Sequence, residues 1–216
     1  MLVMTNVLVL GANGKIAKLA TVQLLNNPDN QLTLFLRKAQ RLAGAAGPRV
    51  KVVEGDASQV ADLTAAMADI DVVYANLAGR NIEDEAQAVV TAMQASHVQR
   101  LIWISTLGIY DEVPGNYGKW NHQMLDGGYL ETYAAAAKVI EASDLAYTII
   151  RPAWLTNHDE VSYETTQKGE PFKGTEVSRK SIAALVAKLV TDPTQAVRAS
   201  LGVNKPNTDG DKPAWY

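Results

Sequence analysis

Short apolar runs alternate along this chain with longer stretches whose apolar residues recur at helical spacing. The strand-like runs are 6–10 (NVLVL), 32–36 (LTLFL), 50–54 (VKVVE), 71–76 (DVVYAN), 101–105 (LIWIS) and 147–151 (YTIIR). Between them lie segments long enough for crossover helices, at 14–27, 39–46, 58–69, 83–96 and about 128–143. Nearly continuous apolar strands joined by helices predict a parallel sheet covered on both faces. The fold expected is therefore α/β, a single Rossmann-type doubly wound sheet. Pro28 in NNPDN ends the first helix, since it lacks a donor and disfavours helix at the residue before it. In GDAS at 55–58, Asp56 or Ser58 is placed to cap the next helix.

Beyond Arg151-Pro152 the alternation loosens into a polar stretch with Gly169, Pro171 and Gly174, then a helix near 178–191 and a last strand-like run at 198–204. That tail is small for a domain of its own. The expectation is one domain over 1–216, in which 152–216 forms a substrate-side region capping the C-terminal edge of the sheet.

Composition narrows the function classes. A chain of 216 residues with 47% hydrophobic content can bury one substantial core. Its net charge is -3, and no run of five like charges occurs, which argues against a nucleic-acid surface or a polybasic membrane anchor. With no cysteine, disulfides, thiolate metal sites and cysteine nucleophiles are excluded, and a cytoplasmic location is expected. The apolar start MLVMTNVLVL has no basic residue before Lys15 and is far shorter than the roughly 20 residues of a membrane span. It reads as a buried strand. His97, His122 and His158 stand at no metal-ligand spacing.

The candidate chemistry starts at GANGKIA, residues 11–17. Gly11, Gly14 and Ala17 fall directly after a strand and before a helix. In that context the first glycine permits a tight turn, the second admits a pyrophosphate to the backbone, and the small third residue allows close helix packing. Dinucleotide folds commonly carry an acidic residue about 20 positions further on, bonded to the ribose hydroxyls. Here that position is Arg37, followed by Lys38. A guanidinium cannot accept those bonds but pairs with a 2'-phosphate, so NADP(H) is expected over NAD(H).

Four stretches, GANGKIA (11–17), FLRK (35–38), EGDAS (54–58) and ASDLAYTIIRPAWL (142–155), resemble the atypical, NmrA-like branch of the short-chain dehydrogenase/reductase superfamily. The resemblance implies an NADP(H) site built from Gly11, Ala12, Asn13, Gly14, Lys15 and Ile16, from Arg37 and Lys38, and from Asp56, which would approach the adenine or simply cap a helix. Asn76, Leu77 and Ala78 would line the cofactor after the fourth strand. Ser105 would end the fifth strand beside the nicotinamide as the substrate-facing hydroxyl.

One expected motif is broken. Active members of the superfamily carry Tyr-x-x-x-Lys on the helix after that serine. The register set by SDLAYTIIRP puts Tyr129 in the first slot and Tyr133 in the second, where the lysine would grip the nicotinamide ribose. Pairing Tyr133 with Lys138 does not rescue it, because five residues place them roughly 140° apart on a helix. Tyr129 and Tyr133 share a face with Ala136, Ala137 and Ile140, so packing accounts for them as readily as chemistry does. Tyr110, Tyr117, Trp120 and Trp154 read as loop aromatics that either stack on a flat substrate or pack the loops down, and His122 is a spare proton donor.

The resemblance thus implies an NADPH-dependent reductase acting on a small conjugated or carbonyl acceptor such as a flavin, quinone, aldehyde or ketone. Ser105 would orient the acceptor, and Tyr129 or solvent would supply a proton. The alternative it allows is a non-catalytic NADP(H)-sensing protein that regulates a protein partner.

Overall fold

The computed structural model describes residues 4–216. The first three residues of MLVMTNVLVL lie outside the described residues, and the strand β1 runs Thr5–Leu10. There follow α1 (Lys15–Leu25), β2 (Asn30–Leu36), a 3-10 segment (Ala39–Ala45), β3 (Val50–Glu54), α2 (Val60–Ala66), β4 (Val72–Ala75), α3 (Ile82–Ala95) and β5 (Arg100–Ile104). The second half holds α4 (Gly115–Leu125), α5 (Tyr129–Ala142), β6 (Ala146–Pro152), β7 (Trp154–Thr156), β8 (Glu164–Thr166), β9 (Glu176–Ser178), α6 (Arg179–Thr191) and β10 (Ala199–Asn204).

The main sheet has the order β3-β2-β1-β4-β5-β6-β10-β8, parallel except for β8 at its edge. This is the doubly wound arrangement that the alternation predicts. Its strands read as unbroken apolar runs because both faces are buried. Val7 and Val9 of β1 join one core cluster, under α1 and α6, whereas Leu8 and Leu10 join the other, under α2, α3 and α5. The same division separates Val72 and Tyr74 from Val73 and Ala75 in β4, as side chains alternate across the pleat.

Several expectations are corrected. The crossover at 39–46 is a kinked 3-10 segment with no buried residue, because AQRLAGA offers no apolar face to hold an α-helix on the sheet. Neither Asp56 nor Ser58 caps α2. The Asp56 carboxylate accepts from the Ser58 N–H and hydroxyl, both at 2.9 Å, and this turn delays the helix until Val60. The helix α4 was not expected: its sequence, GNYGKWNHQML, is poor in helix formers. It is held by tertiary contacts, with Tyr117 bonded to the Thr175 carbonyl and Asn121 accepting from the Trp154 indole. Tyr117, Trp120 and Trp154 consequently sit on elements rather than loops, and only Tyr110 lies in a turn. The tail does more than cap the sheet, since β10 and β8 extend it and β7 pairs with β9 beside it.

One buried ion pair ties this second half together. Arg151 on β6 is fully buried; it pairs with Glu112 and donates to the Ser200 hydroxyl (3.0 Å) and carbonyl (3.2 Å). The Glu112 carboxylate also accepts the backbone N–H groups of Gly108 and Tyr110, each at 3.0 Å. The loop that follows β5 is thereby bolted to the sheet. No helix among the described residues is long and apolar enough to cross a membrane.

Removing one partner of a buried pair leaves an uncompensated charge. Glu112→Ala is expected to lower unfolding free energy by about 3 kcal/mol or more in urea denaturation, with Glu112→Gln losing less because the amide oxygen still accepts from the loop.

Candidate functional site

The sheet order reverses between β1 and β4, and the crevice there is where open α/β sheets bind ligands. β1 ends in Gly11, whose φ of +69° is the left-handed conformation that favours glycine. A side chain on Gly11 would collide with the Asn76 carbonyl oxygen, and one on Gly14 with the Asn76 amide. Gly11 is therefore demanded by the close approach of the loop after β4, whereas a side chain at position 14 would have to displace the Asn76 amide. Asn76 is fixed in turn by its N–H to the Leu10 carbonyl (2.9 Å) and by the Tyr74 hydroxyl on its side-chain oxygen (3.3 Å).

The helix α1 starts at Lys15 without any side-chain cap on its N-terminus. Its first N–H groups have no intrahelical partner and, with the helix dipole, favour an anion. The expected residues of this turn separate into two sets. Gly11, Asn13 and Gly14 line a cleft of about 600 Å³. Ala12 and Ile16 point into the core under α1, and Lys15 is exposed. These three contribute backbone position rather than side-chain contact with the cleft.

Across the cleft stand Arg37 and Lys38 after β2, Gly55 and Ala57 after β3, and Asn76, Leu77 and Ala78 after β4. Arg37 and Lys38 are exposed, and neither has an ion-pair partner among the described residues. Asp56 does not line the cleft with its neighbours, because its carboxylate is turned into the bonds with Ser58, which hold it below the usual carboxylate range. Six lining residues were not among the expected ones, Phe35, Leu36, Gly55, Ala57 and two that are charged. Arg41, on the 3-10 segment, adds a third cation beside Arg37 and Lys38, and Glu85 on α3 is a buried carboxylate in the cleft wall. Arg41 was legible as the next cation after FLRK; Glu85 gave no signal, since an acidic residue in the first turn of a helix is ordinary.

The glycine cradle, the uncapped helix end and the cations of the cleft fit a dinucleotide. The match to known proteins covers the same residues: a family model described as NAD(P)H-binding spans residues 11–193. The chain belongs to this NAD(P)H-binding family. It is similar to a Rossmann-fold NAD(P)-binding family protein from Shigella flexneri, at 41% identity and TM-score 0.85 over 97% of this chain and 98% of that one. A wide-type short-chain dehydrogenase/reductase from Veillonella parvula DSM 2008, solved in complex with NADP, matches at 30% identity and TM-score 0.91 over 97% and 99%. An uncharacterized sugar epimerase, YhfK of Bacillus subtilis (strain 168), is 27% identical over 96% of this chain and 95% of its own.

The residues assigned to chemistry lie apart from the cleft walls. Ser105 is buried just past β5; its N–H donates to the Ile150 carbonyl at 2.7 Å, and its hydroxyl has no protein partner. The glycines 127 and 128, both at positive φ, turn the chain into α5, so that Tyr129 opens the helix exposed and Tyr133 follows buried. Their rings lie 4.5 Å apart. Burial, then the neighbouring Tyr129, raises the Tyr133 pKa, with the Gly79 backbone opposing the rise and the charge of Glu85 adding to it. Lys138 is exposed on another face of α5.

The aromatics of α4 and β7 engage one another and the C-terminal residue: Trp120 lies 4.9 Å from Trp154 and 5.0 Å from Tyr216. His122 bridges Asp126 (2.8 Å) and Asp111 (3.1 Å), and these bonds raise its pKa. Among the described residues no group of three or more His, Cys, Asp or Glu is placed to hold a metal.

A side chain at position 11 meets both left-handed strain and the Asn76 carbonyl. Gly11→Ala is expected to cost about 2 kcal/mol in thermal or urea unfolding, whereas Gly44→Ala, where a side chain meets open space, is expected to leave stability within about 0.5 kcal/mol.

Proposed function

We propose that the protein is an NADPH-dependent reductase of the atypical, NmrA-like short-chain type. The observation that carries this reading is the set of three cations, Arg37, Lys38 and Arg41, at the end of β2, where a ribose-binding carboxylate would favour NAD(H). A guanidinium offers a 2'-phosphate paired, charge-assisted bonds. NADP in the related Veillonella parvula structure supports the same preference.

When bound, a reduced nicotinamide supplies a hydride at its C4. Ser105, with a buried hydroxyl that no protein group satisfies, is the residue that orients an acceptor oxygen. Tyr129 is open to solvent and supplies or relays the proton. Tyr133, raised in pKa and therefore neutral, replaces the missing lysine with a hydrogen-bonding hydroxyl. A site with no tuned cation beside its tyrosine suits acceptors that need little acid assistance, so flavins and quinones rank ahead of aldehydes and ketones. The same substitution of Tyr133 for lysine favours the second reading, a non-catalytic NADP(H) sensor acting on a protein partner.

Calorimetry with NADPH and NADH, followed by NADPH oxidation across flavins, quinones and aldehydes, separates the two. NADPH is expected to bind more tightly than NADH. Arg37→Asp should weaken NADPH binding by about 10- to 100-fold and leave NADH nearly unchanged; equal affinities for the two cofactors in the wild type would defeat the preference. Turnover abolished in Ser105→Ala supports the reductase, and tight binding without oxidation across the whole panel supports the sensor.

A further inference from the structure

Glu85 has no part in the chemistry above, yet it is the acidic residue in the wall of the dinucleotide cleft. It belongs to the first turn of α3 and is only 6% exposed. Its Oε1 accepts a long bond, 3.4 Å, from the Asn81 amide, and its Oε2 is buried without any partner. An unpaired buried carboxylate oxygen is costly in the charged form, whereas a carboxylic acid in the same place carries a donor.

The groups that act on Glu85 come from several elements: the charge of Arg37 after β2, that of Asp56 in the turn after β3, and Asn81 and Asp84 at the start of its own helix, while its own charge acts on Tyr133 of α5. Burial raises its pKa to about 7, with Arg37 opposing the rise and Asp56 adding to it. The carboxyl group is thus divided between its two forms near neutral pH. A dinucleotide brings the charges of its pyrophosphate, and of a 2'-phosphate where present, into this low-dielectric cleft, where a like charge is repelled.

We propose that Glu85 binds the dinucleotide as its carboxylic acid: where Glu85 is ionised in the free protein, entry of the anion draws a proton from solvent onto it, and the protonated Oε2 donates a hydrogen bond to the ligand. The inference rests on the NADP(H) reading and adds a residue and a proton to it. The carboxyl is neutral in the complex and partly ionised in the free protein, so affinity must fall as pH rises through the range where free Glu85 ionises. The limit of the effect is tenfold per pH unit.

The test is calorimetric titration of NADPH into the intact protein at pH 7.5, in two buffers of different ionisation heat, with the pH series extended to 9. Over this range the 2'-phosphate is already ionised, its second pKa being about 6. The wild type is expected to take up roughly half a proton or more per NADPH and to lose affinity toward pH 9 by up to tenfold per unit. Glu85→Gln, neutral at every pH and able to donate through its amide, is expected to show little uptake and a nearly flat profile.

Identical uptake and identical slopes in the two proteins would overturn the role of Glu85 and leave the NADP(H) reading in place. Absence of NADPH binding to the wild type at any pH would overturn both. Should the variant fail to fold, the wild type alone decides, because zero proton uptake is incompatible with the proposal.

Discussion

The close approach of two loops at the reversal of the sheet governs the rest of the site. Gly11 and Gly14 allow the turn after β1 to press against Asn76 after β4, with no room for a side chain at Gly11 and the Asn76 amide in the way of one at Gly14. That contact places the uncapped start of α1 over the crevice and brings the ends of β2, β3 and β4 around one cleft. A helix terminus is a diffuse attractor for anions. Arg37, Lys38 and Arg41, which line the same cleft and have no ion-pair partner among the described residues, add positive charge to it from a second side.

A second constraint organises the chemical half. The buried Arg151–Glu112 pair holds the loop after β5 by its own backbone N–H groups, so the position of Ser105 and the turn beyond it is set by the sheet rather than by local sequence. Tyr110 extends this network, stacking under Arg151 and bonding Glu141 at 2.7 Å. The aromatic residues nearby are occupied with each other, Trp120 with Trp154 and Tyr129 with Tyr133, while the Ser105 hydroxyl is buried with no hydrogen-bond partner among the described residues. With tyrosine where the resemblance places a lysine, the site holds a dinucleotide more plainly than it tunes a proton donor.

The elements with a strong periodic signal were readable from the chain, among them β1, β2, α3, β5, α5 and α6, whose observed bounds differ from the expected ones by a residue or two. Elements without such a signal were not. The helix α4 depends on Tyr117, Asn121 and Trp154 meeting across the fold, and the strands β7, β8 and β9 are three residues each, too short to show a period. Within the site, spacing singled out the glycines and Arg37; of the residues that the resemblance added, Ala12 and Ile16 are packed in the core and the Asp56 carboxylate is bonded to Ser58. Glu85 was invisible because its meaning lies in burial and in the orphaned oxygen, and neither is encoded in its neighbours along the chain.

The sequence by itself determined the parallel, doubly wound sheet and the dinucleotide turn. Both follow from local rules: apolar runs that must be buried on two faces, and glycines needed where a backbone bends between a strand and a helix. Only the tertiary structure decided which groups share the cleft, since Arg37, Arg41 and Glu85 come from separate segments, and the Glu85 pKa is set by its burial and by the charges of Arg37 and Asp56. Charge and solvation depend on distances through space, and residues far apart in sequence take on those distances only once the sheet has assembled.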